Sequence, residues 1–198
     1  MKQVDFYYDI VCPYAYLGAT QISAIAEARG AEVVWKPFLL GGVFRAIGAP
    51  DNQMGVMSPA KLRHNHLDMH RWAEHFGVPL TWPMAHPRRT VLALRALLAA
   101  GEEHRVEATM ALYRAYWVDG LDITEGAVVE QVLSALGLDG AACVQAAATQ
   151  AIKDALRTAT DEAISRGVFG APAFFVDGEL FWGQDRLDFV ARALAASA

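Results

Sequence analysis

Strand-like runs stand only at the two ends of this sequence, and more than 100 residues of helical pattern separate them. Gln3 to Tyr8 is rich in β-branched and aromatic residues, and its imperfect alternation suits a strand covered on both faces. Pro13 closes that run and opens a helix from Tyr14 to Ala28, with Leu17, Gln21, Ile25 and Ala28 at helical spacing and Gly30 as its stop. Glu32 to Lys36 reads as a second strand, ended by Pro37. This β-α-β unit fits within about 36 residues, enough for the crossover that parallel strands need. At the other end, Ala173 to Val176 and Leu180 to Trp182 flank Asp177-Gly178, a strong hairpin signal, and a last helix runs from Asp185 to about Ala195. The order β-α-β, helices, β-β-α therefore implies an α/β chain. One sheet is assembled from segments 1–40 and 166–198, and a helical block over 41–165 is inserted between them.

Within the block, Gly41 to Asn52 is rich in glycine and turn formers. Ser58-Pro59 then caps a helix with Leu62, Met69, Ala73 and Phe76 on one face, stopped by Gly77-Val78-Pro79. Further helices are expected over Arg88–Ala99 and Glu102–Val118, the latter with Val106, Met110, Tyr113 and Trp117 aligned. Thr124 caps another, bearing Val128, Val132 and Leu136. Asp139 opens the longest, with Val144, Ala148, Ile152, Ala155 and Ala159 as its stripe.

Composition narrows the functional classes. Of 198 residues 54% are hydrophobic and only 20% charged, so a folded core is expected, with apolar surface to spare for a subunit interface. The net charge of −5 and the lack of a basic run beyond Arg88-Arg89 argue against nucleic acid. No apolar stretch approaches the roughly 18 residues that cross a bilayer. Asp5 and Asp9 interrupt the place where an export signal would sit, so a cytoplasmic location is expected. Cys12 and Cys143 read as free thiols in a reducing compartment. His66 and His70, four apart, could in principle share a metal, but no third ligand stands at sensible spacing, and no metal is expected.

Two places carry chemistry. Pro13 as first helical residue leaves Cys12 at the N-cap, where unpaired amides and the helix dipole favour a sulfur anion, its own or a ligand's. The alternative is a buried, inert cysteine. Residue 15 is Ala, so this is no Cys-x-x-Cys pair. The second place is Ala171-Pro172 before the third strand. It is either a plain turn or a cis bond that holds a backbone edge open for a ligand.

Three motifs in order resemble one family. They are Asp5-Phe6-Tyr7-Tyr8-Asp9 with Pro13-Tyr14-Ala15-Tyr16-Leu17, then Arg71-Trp72-Ala73 with Phe76-Gly77-Val78-Pro79, and then Val168-Phe169-Gly170-Ala171-Pro172 with Phe181-Trp182-Gly183-Gln184-Asp185-Arg186-Leu187. Over nearly its whole length the chain resembles the 2-hydroxychromene-2-carboxylate isomerase and kappa-class glutathione transferase family, a DsbA-like branch of the thioredoxin fold. The resemblance implies a thioredoxin-like fold with a large all-helical insertion, glutathione as cofactor, and a homodimer. It places Cys12 opposite the glutathione sulfur, where the family usually has Ser. Ala171 and Pro172 become the clamp on the cysteinyl portion, with Lys61, Trp182, Asp185 and Arg186 around the rest of the tripeptide. His86, Arg88, Arg89 and Trp117 are expected to wall the pocket for an aromatic carboxylate substrate. Read without the resemblance, Asp185 is an ordinary helix cap and Lys61 a solvated charge. Trp35 and Trp72 read as core. Two departures stand out: Cys12 itself, and Ala49 after Gly48, where the family commonly has Asn, with Asn52 a few residues on.

The activity this implies is isomerisation of 2-hydroxychromene-2-carboxylate to trans-o-hydroxybenzylidenepyruvate, as in aromatic-hydrocarbon catabolism, with the nucleophilic sulfur supplied by glutathione. Two alternatives are a transferase or thiol–disulfide exchanger that attacks through Cys12, and a binding protein without turnover.

Overall fold

The computed structural model of the chain describes residues 2–50 and 52–196. Met1, Asp51, Ser197 and Ala198 lie outside that description, and with them the outer limits expected for the two end segments. Four strands form one mixed sheet in the order β2-β1-β3-β4: β1 Lys2–Tyr8, β2 Ala31–Pro37, β3 Ala173–Val176 and β4 Glu179–Trp182. β1 pairs in parallel with β2, Phe6 opposite Trp35, and antiparallel with β3, Phe6 opposite Phe174. β3 and β4 form the hairpin, with Asp177 and Gly178 both at positive φ in its turn. The sheet thus joins the two ends of the chain, as the strand pattern predicts.

The pleat divides β1 between two environments. On one face Phe6 stacks on Tyr8 and on Phe174. The helix α1, Pro13–Glu27, lies over this face, close enough that a Cβ on Gly18 would stand 3.2 Å from the Phe174 ring. On the other face Asp5 and Tyr7 meet helix α8, Gln150–Ser165, and Arg166 after it. The Arg166 guanidinium bonds Asp5 and the Tyr7 hydroxyl, which itself donates to Glu162, and Lys36 pairs with Glu162 at 2.8 Å. This network fastens the insertion to the sheet.

The helical block departs from expectation in five places. Gly41 to Asn52 is not all loop, because Leu40–Ala46 is a helix, α2. Gly42 there serves close packing, since a Cβ would fall 2.9 Å from the Thr160 methyl of α8. α3 runs Pro59–Phe76 with Ser58 as its cap, as expected, but Leu62 on its stripe is exposed. α4 (Val91–Ala99) and α5 (Arg105–Trp117) begin later than their sequence pattern, and Val106 is exposed. Thr124 does not cap α6 (Gly126–Ser134), because its hydroxyl is engaged by Asp122 at 2.7 Å. The helix opened by Asp139 is α7, Gly140–Ala146, and it stops there. Thr149 then caps α8 separately, and the buried residues of α8 are Leu156, Thr160 and Ala163 rather than the predicted stripe. The last helix, α9 (Leu187–Ala196), follows a 3-10 turn over Gln184–Arg186. Asp185 lies inside that turn and makes no capping bond, which corrects its reading as a helix cap.

No helix among the described residues is long and apolar enough to cross a membrane.

Candidate active site at the start of the first helix

The loop between β1 and α1 is held from three sides. Asp9, buried, accepts from the backbone amides of Leu40 at 2.9 Å and Val11 at 3.3 Å, and its carbonyl accepts the Tyr113 hydroxyl. Trp117 donates its indole N–H to the carbonyl of Ile10 at 2.8 Å. Residues of α2 and α5 thereby fix where Cys12 stands. Burial pushes the Asp9 carboxyl up to about 6, against these hydrogen bonds that favour its charge.

Cys12 occupies the N-cap position of α1 in extended conformation, and the amides of Tyr14 and Ala15 face its sulfur. The Sγ donates to the carbonyl oxygen of Ala171 at 3.1 Å. Burial outweighs the two amides, so the thiol is pushed up to about 12. In the free chain this favours the protonated thiol, so of the two sulfur anions considered at this helix start, its own or a ligand's, the ligand's is the one left to the facing amides. The Ala171-Pro172 bond is cis, and Pro172 accepts from the amide of Gly183 at 3.0 Å. No group among the described residues accepts the Ala171 N–H.

A cavity of about 680 Å³ opens over this point. Cys12, Lys61, Ala171, Trp182, Asp185, Arg186 and His86 all line it. Its lining combines polar groups, from Asn52, Lys61, Asp68, Ala171, Asp185 and Arg186, with apolar ones, from Phe44, Ile47, Met54, Met69, Trp72 and Pro87. Trp182 stands half-exposed at the rim with its ring against Phe169. Gly170 leaves room for it, since a Cβ there would meet the indole nitrogen at 2.6 Å.

Three expected substrate-side residues stand elsewhere. Arg88 pairs with Asp122 at 2.8 Å. Arg89 faces a separate cleft with Arg95 and Lys153. Trp117 is fully buried beneath the loop it holds, where its role is structural support. Pro172 sits behind the wall rather than in it. Of the segment from 86 to 89, His86 and Pro87 reach the cavity. His86 packs against Trp82, Trp117 and Tyr116, and burial lowers its imidazole to about 4, so it is neutral.

Sequence reasoning missed Asp9, Tyr14, Phe44, Asp68 and Met69 as site components. It also placed Trp72 in the core, whereas its ring is half-buried in the cavity wall. A signal for Asp9 existed: a carboxylate next to an apolar loop, in a strand buried on both faces, needs partners.

The family model of the DsbA-like thioredoxin domain matches residues 3–195. The chain belongs to the DsbA-like thioredoxin family. Within that family it groups with the 2-hydroxychromene-2-carboxylate isomerases and kappa-class glutathione transferases. It is 32% identical to the 2-hydroxychromene-2-carboxylate isomerase of Sphingobium xenophagum, over 96% of each protein. It is 29% identical to glutathione S-transferase kappa 2 of Caenorhabditis elegans, over 98% of this chain and 92% of that one. The crystal structure of a 2-hydroxychromene-2-carboxylate isomerase superposes with a TM-score of 0.88 at 27% identity, covering 97% of this chain and 94% of the other. This DsbA-like chain thus shares its overall fold with that isomerase.

Proposed function

We propose that this DsbA-like protein is a glutathione-dependent isomerase that converts 2-hydroxychromene-2-carboxylate to trans-o-hydroxybenzylidenepyruvate, or acts on a closely related aromatic catabolite. The observation that carries the reading is the cavity at the N-terminus of α1, whose lining brings charged groups suited to a tripeptide together with the apolar side chains of Trp72, Phe44 and Met69.

The polar groups of the lining fit glutathione. The tripeptide has an extended backbone, two carboxylates, one ammonium and a thiol. The unpaired Ala171 N–H suits the backbone, Lys61 and Arg186 suit the carboxylates, and Asp68 and Asp185 suit the ammonium. Gly170 leaves the space that brings Trp182 over the rim. When bound, glutathione supplies the nucleophilic sulfur that adds reversibly to the conjugated substrate.

The chain's own residues then have distinct tasks. The amides of Tyr14 and Ala15, the latter also donating to the Cys12 carbonyl at 3.1 Å, stabilise negative charge on sulfur at the positive end of the helix dipole. Cys12, protonated, donates a hydrogen bond instead of attacking. Trp72 and Phe44 stack on the aromatic ring and exclude water. Lys61, in the same lining, offers a cation to a substrate carboxylate. A homodimer in the cytoplasm belongs to the same proposal, and light scattering and cell fractionation test those two points.

Cys12 in place of a hydroxyl favours one second reading, thiol–disulfide exchange through a mixed disulfide with glutathione. Cys143 lies in α7 and offers no partner to Cys12. The test is a spectrophotometric isomerase assay with and without glutathione, together with a disulfide-exchange assay, on the wild type and Cys12→Ser. Glutathione-dependent isomerisation that survives the substitution supports the lead reading. Exchange activity that vanishes with Cys12, and no isomerisation, supports the second.

A further inference from the structure

We propose that His86 is a hydrogen-bond donor in the wall of the cavity, its tautomer fixed by Tyr116, and that it selects ligands carrying an uncharged carbonyl oxygen conjugated to an aromatic ring. This deepens the isomerase reading in naming the ligand class, but the tautomer stands independently of it.

A chain of hydrogen bonds carries the assignment. The backbone N–H of Arg88 donates to the Tyr116 hydroxyl oxygen at 3.2 Å. The same hydroxyl lies 2.9 Å from His86 Nδ1. An amide cannot accept, so the phenol oxygen is the acceptor in the first bond, and its own proton is free for the second. In the arrangement we assign, that proton goes to Nδ1, which accepts it, and the imidazole proton belongs on Nε2. Burial holds the ring neutral, and it packs between Trp82, Tyr116 and Trp117. Nε2 has no hydrogen-bond partner among the described residues, yet it is not one of the buried unpartnered side-chain nitrogens, which are Arg95 Nε and Arg105 Nε. It is therefore accessible, in the wall of the cavity that His86 lines.

The chemistry of that donor defines what it recognises. The two arginines that follow are turned away, Arg88 to Asp122 and Arg89 to another cleft, so this wall offers a dipole rather than a charge. A single uncharged N–H in apolar surroundings is matched by a single carbonyl oxygen. A carboxylate brought there would lose more hydration than one neutral donor returns. An aryl-conjugated ketone places its ring on Trp72 and its oxygen at such a donor. In a 2-oxo acid the carbonyl would take this place and leave the carboxylate for Lys61. A neutral imidazole that polarises a carbonyl in this way gains nothing by titrating, because it donates without giving up its proton.

The test combines nuclear magnetic resonance with calorimetry on the full chain. In protein labelled with ¹⁵N-histidine, two-bond proton–nitrogen correlations identify the tautomer of each ring at pH 7, and His86→Gln assigns the signal. The expected result is the Nε2–H form for wild-type His86 and a mixture of tautomers in Tyr116→Phe. Titration with benzylideneacetone, a neutral aryl enone, is expected to weaken about fivefold to tenfold in His86→Leu, one neutral hydrogen bond's worth, and to recover most of that in His86→Gln. A charged or Nδ1–H imidazole in the wild type overturns the proposal, as does equal enone affinity in wild type and His86→Leu. If both readouts hold while no isomerisation occurs, the donor stands and the isomerase reading fails.

Discussion

The thiol of Cys12 and the carbonyl of Ala171, 159 positions apart in sequence, meet at 3.1 Å across the cleft where the two ends of the chain close the sheet. That contact ties the start of α1 to the loop before β3. It also keeps the sulfur protonated, since burial pushes it up to about 12 in spite of two facing amides.

The first prediction follows from that protonation. A thiol titrating so far above its usual value of 9.0 holds almost no thiolate at neutral pH. Alkylation of Cys12 by iodoacetamide, followed by mass spectrometry, should be slower at pH 7.5 than that of free glutathione, and should rise about tenfold per pH unit. Cys12→Ser keeps a donor for Ala171 and should retain isomerase activity within severalfold. Rapid alkylation at neutral pH would mean that the helix start prevails over burial.

A second prediction concerns Gly170. A Cβ at this position would stand 2.6 Å from the indole nitrogen of Trp182, so Gly170→Ala must displace the ring at the rim of the cavity. Binding of glutathione should weaken by about tenfold, roughly one hydrogen-bonded contact together with its packing. The melting temperature should change little, because Trp182 is half-exposed. Unchanged affinity would remove Trp182 from the binding surface.

How far the site could be read beforehand depends on the kind of signal. The sheet was legible because β1 is rich in β-branched and aromatic residues, β3 is a continuous apolar run and Asp177-Gly178 punctuates the hairpin. Cys12 was legible because Pro13 marks a helix start. α2 was not, since Gly41 and Gly42 read as turn formers, and only the nearby Thr160 methyl explains why glycine is needed inside a helix. The break between α7 and α8 was hidden by an alanine-rich run that would suit one long helix, and Thr149 decides it by capping. Arg88 and Arg89 could be placed near the cavity by their distance in sequence from His86, but the direction of their side chains is set by Asp122 and by α4, which lie on other elements.

Acid stability should separate His86 from Asp9. The imidazole titrates at about 4 when folded, against 6.5 as its ordinary value. The unfolded chain therefore takes that proton first, and stability is lost as pH falls from 6.5 toward 4. Asp9 acts with the opposite sign. Its carboxyl titrates at about 6 when folded against 3.8, so the folded state holds that proton more tightly, and stability is gained over much the same range. Wild-type melting should consequently vary little between these values. The melting temperature of His86→Gln, measured relative to wild type, should rise on acidification, and a difference independent of pH would contradict the assignment of a neutral His86.

Arg166 is predicted to matter for stability rather than for catalysis. It bonds Asp5 and Tyr7, and lies over the Phe175 ring at 4.1 Å, on the face of the sheet away from Cys12. Arg166→Met keeps part of the packing but removes the cation from Asp5, which is nearly buried and keeps the Gln3 amide as its remaining side-chain partner. Denaturant unfolding should show a loss of about 1–3 kcal/mol, the usual cost of a buried group left without its partner, reduced here because the pair is partly solvated. Kinetic constants of the folded variant should be close to wild type. A large fall in kcat without loss of stability would assign Arg166 a role that its position does not explain.

The most direct measurement of the account is calorimetric titration of the wild-type chain with reduced glutathione. The account predicts saturable binding of one tripeptide per chain, accompanied by protection of the backbone amides of Tyr14, Ala15 and Ala171 from hydrogen exchange. No heat and no protection at millimolar glutathione would contradict it, and would leave the chain a DsbA-like fold whose cleft serves another ligand.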